Sequence, residues 1–293
     1  MAWQDLALTC RDRYGEHMST VVEEYSNVRE ELREVLSLAA KLSIATSGRT
    51  VSEWSHEYAS YVFTKICCHG TSALSLAPTG LVPTQPGATE LWDLSSLCAI
   101  VRALVDAYYA MYYIAVDNVS HEERSFREAL WTFQAENKRL ELLRLIKSKS
   151  PELGKLQGEV DRRKDVLIQH PLFTSLSPEK QKKARKGDLP LHLTNSELSV
   201  RADIQPDYYR AVYRYLSSYV HTYPFSLSQL AQLRAGNPDS LLPISITLRY
   251  CLVFLCLAVR DFRILFPDVV NLSRPQVDQI VEKWVYVAAN MGS

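Results

Sequence analysis

The sequence predicts an all-α multi-helix bundle led by a long, coiled-coil-like N-terminal helix. Three observations predict it. Apolar residues recur at helical spacing along most of the 293 residues. Helix-start signals precede the long apolar runs, and no segment alternates apolar and polar residues as a half-buried strand does.

The first element, over residues 1–46, places Tyr14, Met18, Val21, Tyr25, Val28, Leu32, Val35, Ala39 and Leu42 at alternating spacings of four and three. That is a seam of about four heptads. Glu23, Glu24, Arg29, Glu30, Glu31, Arg33 and Glu34 fill the positions between as a solvated, mostly acidic face. One period serves two arrangements, an arm packed antiparallel on the rest of the chain and a homodimer contact, and both stand. Residues 50–293 form the bundle domain. In it, Thr50 and Glu53 have capping-box spacing and open a second helix to about Leu76. Pro78 to Thr89, with three prolines and two glycines, is an irregular connection. A third helix runs from about Glu90 to Asp117. Ser120 and Glu123 cap a fourth, to about Lys147. Ser150-Pro151-Glu152 starts a fifth that ends near His170-Pro171. Residues 177–203 read as an irregular basic segment. Helix resumes over Pro206–Tyr223, Leu227–Ala235, Pro243–Phe266 and Arg274–Asn290.

Composition narrows the function classes. With 47% hydrophobic and 23% charged residues the chain can bury a core, which excludes a disordered chain. Lys+Arg and Asp+Glu are both 33, so any nucleic-acid contact comes from a local patch. The six cysteines lie in apolar helical stretches without disulfide spacing, which points to reduced thiols and a cytoplasmic location. The opening MAWQDLALTCRDRYGE lacks the layout of a signal peptide. The greasiest run, Tyr250 to Val259, falls short of the roughly 20 residues a bilayer requires. It reads as a core helix, and no membrane association is expected.

Two helices carry candidate chemistry. Leu97–Val116 is apolar nearly all round, yet Arg102 and Asp106 interrupt it four residues apart, with Tyr109 and Tyr113 continuing the same face. This is either a structural ion pair or one wall of a polar pocket. On Gln205–Pro224, Arg210, Arg214, Ser217 and His221 line one face, with Arg214 and His221 about 10.5 Å apart along the axis. A guanidinium grips phosphate with a planar fork, and an imidazole moves a proton near neutral pH. Together they are a minimal kit for phosphodiester transesterification, a base for the 2′-hydroxyl and a cation for the developing charge. The bland reading of His221 is a histidine bonded to nearby backbone. Lys182, Lys183, Arg185 and Lys186 are either a solvated loop or an electrostatic handle for RNA. Cys67-Cys68-His69 does not make a zinc site, because adjacent ligands on one helix point apart. His56-Glu57 lacks a zincin's second histidine, and there is no phosphate-cradling glycine loop, dinucleotide fingerprint or nucleophile elbow. No metal and no cofactor are expected.

Arg214-Tyr215-Leu216-Ser217-Ser218-Tyr219-Val220-His221 resembles the R-x(4–6)-H motif of the HEPN superfamily, all-α proteins many of which are metal-independent RNases of toxin–antitoxin and anti-phage systems. The segment around Arg102 and the run Tyr213-Arg214-x-Leu-Ser-x-x-x-His221 also resemble a bacterial all-helical family of unknown function. The resemblance implies an RNA substrate and Arg214 with His221 as a catalytic pair brought together across a dimer. Arg102, Asp106, Tyr109, Ser217 and Arg210 would support that pair. Tyr215 departs from the pattern, standing where the RNase members carry a small polar residue. The alternative is a non-catalytic helical module that binds a partner protein or a small ligand.

Overall fold

Helix capping and helical periodicity shape every element of the computed structural model, which describes residues 2–51, 53–81 and 91–291, with side chains from Met18 onward. Among the described residues there are eleven α-helices and no strand. They are α1 (Ala2–Thr46), α2 (Trp54–Leu76), α3 (Leu94–Met111), α4 (His121–Leu145), α5 (Leu153–Gln169), α6 (Pro178–Arg185), α7 (Asn195–Arg201), α8 (Pro206–Val220), α9 (Pro224–Leu230), α10 (Leu241–Leu265) and α11 (Pro275–Asn290). Proline opens α6, α8, α9 and α11, where its missing N–H costs nothing. Ser120 Oγ accepts from the Glu123 amide at 3.1 Å, so the expected cap of α4 forms. The expected Thr50 cap does not: α2 starts at Trp54 behind Glu53, whose side chain makes no cap bond. The side chains of Cys10 and Tyr14, and most of the Pro78–Thr89 connection, lie outside the described residues.

Two compact units result, residues 1–112 with 199–293, and residues 113–198. In the first, α10 is central and packs on α1, α2, α3 and α11. Leu252 to Val259 are each at most 1% exposed, as a helix apolar on every side requires. The 94–116 and 238–265 stretches are long and apolar enough to cross a membrane; most of each lies buried in the fold. The α1 seam from Val21 to Leu42 is buried, and α1 packs on α10, α2 and α11. Those heptad positions are therefore occupied within the chain. Gly70 lets α2 approach α1, since a Cβ there would sit 2.6 Å from Leu36 Cδ2. The second unit is an α4–α5 hairpin with α6, cored by Phe126, Leu130, Phe133, Leu167, Phe173 and Ala184.

The 177–203 segment is more regular than expected. Ser177 Oγ accepts from the Lys180 amide at 3.3 Å and nucleates α6, and Gly187, at φ +69°, stops the chain just beyond it. Only Ala184 of α6 is buried, so no apolar stripe marks the helix in the sequence.

Asp261 is 1% exposed in the α10 core, bonded to Tyr108 Oη at 3.0 Å and to Arg260 Nε at 2.7 Å. Burial pushes its carboxyl above the usual range, only partly offset by Arg260 and Tyr108. Such a group loses its proton less readily folded than unfolded. The wild type therefore loses stability as pH rises from the unfolded carboxylate value through the raised folded one. Urea midpoints at pH 4 and pH 7 should shift in favour of Asp261→Asn at the higher pH. A gap that stays constant with pH contradicts this.

Candidate functional site

Helix α8 sorts its residues by period. Tyr208, Tyr209, Val212, Leu216 and Tyr219 are buried, and the helix packs on α3. Arg210, Arg214 and His221 are exposed on the other side. The helix ends sooner than the sequence suggests. His221 is its C-cap, donating its amide to the Ser217 carbonyl at 3.2 Å, and Thr222 takes φ +54° before Pro224 opens α9. The imidazole is thus presented at a helix end rather than within the last turn. Its ring lies 5.5 Å from that of Tyr223.

The stripe is uneven in its pairing. Arg210 is held by Asp207 at 3.0 Å. Among the described residues the Arg214 guanidinium has no carboxylate partner, and its backbone carbonyl accepts from Ser218 Oγ at 2.8 Å. Ser217 Oγ is buried and has no hydrogen-bond partner. Tyr215 turns inward, donating to the Pro243 carbonyl at 3.3 Å and packing on Tyr219 and Tyr250. Its departure from the small polar pattern is therefore taken up by the core and leaves the outward face of Arg214 open.

The supporting residues form a separate seam between α3 and α8. Arg102 lies 4.7 Å over the Tyr213 ring and donates to its hydroxyl. Burial disfavours the charge of Arg102, but Tyr213 and Asp106 more than offset this and hold it above the ordinary arginine value. Its Nε is buried without an acceptor. Asp106 is exposed. Tyr109 is buried, shares a 2.6 Å hydrogen bond with Ser199, and has its phenol pushed up by burial. The structure thus joins Arg102, Tyr109, Tyr209, Tyr213 and Ser199, and sets Arg210, Arg214 and His221 apart as an open stripe. Tyr113 lies in the π-helical stretch Tyr112–Val116 that follows α3, and its hydroxyl meets His192 Nδ1 at 2.7 Å in the second unit.

Cys67 and Cys68 differ in burial. Cys67 is buried, its thiol pushed up to about 12, and Cys68 is exposed. No group of three or more metal-binding side chains occurs among the described residues.

Of the basic run, Lys182 and Lys186 are exposed and make no ion pair among the described residues, whereas Lys183 pairs with Glu179 at 2.8 Å and Arg185 lies 4.8 Å over Phe173. The run lies in a longer basic stretch of the sequence. Residues 138–186 hold 14 Lys+Arg against 6 Asp+Glu in a chain of zero formal charge. Exposed Lys147 and Lys149, at the α4–α5 turn, are part of it. A running charge count along the chain exposes this asymmetry; a search for a contiguous lysine run does not.

Residues 88–238 match the model of a family of unknown function, DUF5677. The match takes in α3 through α9, with both polar faces, and omits α1, α2, α10 and α11. No curated protein and no solved structure matches the chain.

Proposed function

We propose that this chain, which belongs to that family of unknown function, is an HEPN-like, metal-independent endoribonuclease acting through His221 and Arg214. One observation carries the reading: an exposed guanidinium with no carboxylate partner among the described residues shares an open helical stripe with an exposed imidazole. In the proposed reaction His221 takes the proton of a ribose 2′-hydroxyl as that oxygen bonds to the adjacent phosphorus. The bond from phosphorus to the 5′-oxygen breaks, and the 5′-oxygen leaves with a proton returned by the imidazolium. Arg214 holds the non-bridging oxygens, where charge builds. The products are a 2′,3′-cyclic phosphate and a 5′-hydroxyl. A second copy laid over the stripe would enclose the phosphate, in line with the dimeric arrangement the resemblance implies. A role as a toxin or anti-phage effector rests on that resemblance as well.

The deciding test is incubation with total RNA in the presence of a chelator, with analysis of the ends. Fragments bearing 2′,3′-cyclic phosphate are expected; intact RNA rejects the reading. The exposed Lys147, Lys149, Lys182 and Lys186, which make no ion pair among the described residues, support RNA as the ligand class, since such lysines bind phosphate by releasing counterions. Replacing Lys147, Lys149, Lys182 and Lys186 by alanine should weaken RNA binding. It should also flatten the dependence of log K on log salt by about 0.7 per lost phosphate contact. An unchanged slope removes those four lysines from RNA binding. A non-catalytic helical module is the second reading, and one observation favours it: the stripe is open surface, while the adjacent cavity of about 510 Å³ is lined by Tyr215, Leu233 and Pro243 and includes neither Arg214 nor His221. On that reading His221→Ala leaves every RNA measurement unchanged.

A further inference from the structure

Just past His221 the chain turns aromatic side chains to water. Seven of the eight phenylalanines are buried, and the eighth, Phe225, is 53% exposed. Tyr223 is 54% exposed, and Val220 and Leu227 are exposed as well. Apolar residues scattered singly over a surface are ordinary, whereas four within eight positions mark a binding surface. The backbone fixes how the two rings stand. Tyr223 is the N-cap of α9, and its carbonyl accepts from the Leu227 amide at 3.1 Å and from Ser226 Oγ at 2.8 Å. Ser226 is fully buried, so anchoring α9 through it leaves positions 223 and 225 outside. The Tyr223 ring lies 5.5 Å from the His221 ring, tilted by 36°. The Phe225 ring meets no other aromatic ring among the described residues.

Charge selects among the ligands such a surface could take. α9 packs on α8, and from Tyr208 to Pro238 the chain holds Arg210, Arg214, His221 and Arg234 but no aspartate or glutamate. Arg214 and Arg234 are exposed and make no ion pair among the described residues. An apolar peptide covers the rings and leaves these guanidiniums without an anion. A base-paired duplex meets the guanidiniums and leaves the rings wet. A single strand offers phosphates together with unpaired bases, whose π-faces stack on exposed aromatic rings. We propose that Tyr223 and Phe225 form a stacking platform for unpaired bases next to the phosphate on Arg214, so that the chain takes single-stranded rather than base-paired nucleic acid. The position of that phosphate rests on the ribonuclease reading; binding at the platform does not require cleavage.

Fluorescence anisotropy of the full chain with a short, labelled 2′-O-methyl oligoadenylate tests it, because a strand without free 2′-hydroxyls is bound and not cut. Wild type should bind the free strand more tightly than the same strand annealed to its complement. Tyr223→Leu and Phe225→Leu keep apolar bulk and lack a π-face. Each should weaken the free strand by about 5- to 150-fold, the worth of one stacked base. Duplex affinity and the dependence of log K on log salt should stay unchanged, since no phosphate contact is lost. Phe225→Trp should bind at least as tightly as wild type. The proposal is overturned by no binding of the strand, by equal affinity for strand and duplex, or by leucine variants that bind the strand as wild type does. A lower sedimentation mass in either variant also overturns it, by making the rings a contact between copies. If the leucine variants lose the strand and wild type cuts no RNA, the ribonuclease reading alone fails. If wild type cuts RNA and the variants keep the strand, the platform alone fails.

Discussion

His221→Ala is expected to lower RNA cleavage by about 10²- to 10⁴-fold, the contribution of a positioned general base, while leaving the melting temperature and helical circular dichroism unchanged. Both halves follow from where the residue sits. The ring is exposed beyond the last residue of α8, so truncation removes no core packing. The backbone amide that caps the helix is retained, since alanine donates to Ser217 equally well. Arg214→Lys gives a second, independent signature: it keeps the charge and loses the planar fork, so cleavage should fall although RNA binding at low salt persists. Cleavage at the wild-type rate in His221→Ala would end the catalytic assignment. A large fall in melting temperature would also count against it, because it would make the imidazole a structural group.

The stripe was legible because helical geometry alone decides it. Once Pro206 and the spacing of Tyr209, Val212, Leu216 and Tyr219 fix the inward face, Arg210, Arg214 and His221 can only point away. The α1 seam was legible for the same reason, but its partner was not, since a heptad pattern does not say whether α10 or a second copy covers it. Contacts distant in sequence stayed hidden. Arg102 and Tyr213 are 111 residues apart, and Tyr109 and Ser199 are 90 apart, so nothing local announces either pair. The π-turn at 112–116 was invisible in a run apolar on all sides, where no polar residue marks the register change.

Arg127→Met should destabilise the 113–198 unit by about 3–5 kcal/mol, the usual cost of stripping one partner from a buried ion pair. Arg127 is 0% exposed, the largest fully buried side chain described. Its guanidinium meets Asp117 at 2.6 Å, binds Glu123, donates to the Tyr113 carbonyl at 2.6 Å and lies 4.3 Å over the Tyr113 ring. Neighbouring Arg124 donates to the carbonyls of Ile114 and Asp117. These carbonyls belong to the end of the α3 run and its π-turn, where helical bonding leaves acceptors unpaired and partial negative charge gathers. Two arginines of α4 therefore satisfy them, and Asp117 and Glu123 neutralise Arg127 in turn. Methionine fills much of the volume but takes the guanidinium away from the buried Asp117 carboxylate and uncaps Tyr113. Changing Asp117 to leucine in the same chain removes the charge that Arg127 neutralised and should recover part of the loss, because a wholly apolar replacement of a buried pair is often near neutral. Urea unfolding gives the magnitude, and amide hydrogen exchange over residues 112–130 gives its location. A loss below about 1 kcal/mol, or no recovery in the double variant, would show that packing rather than paired charge holds this corner.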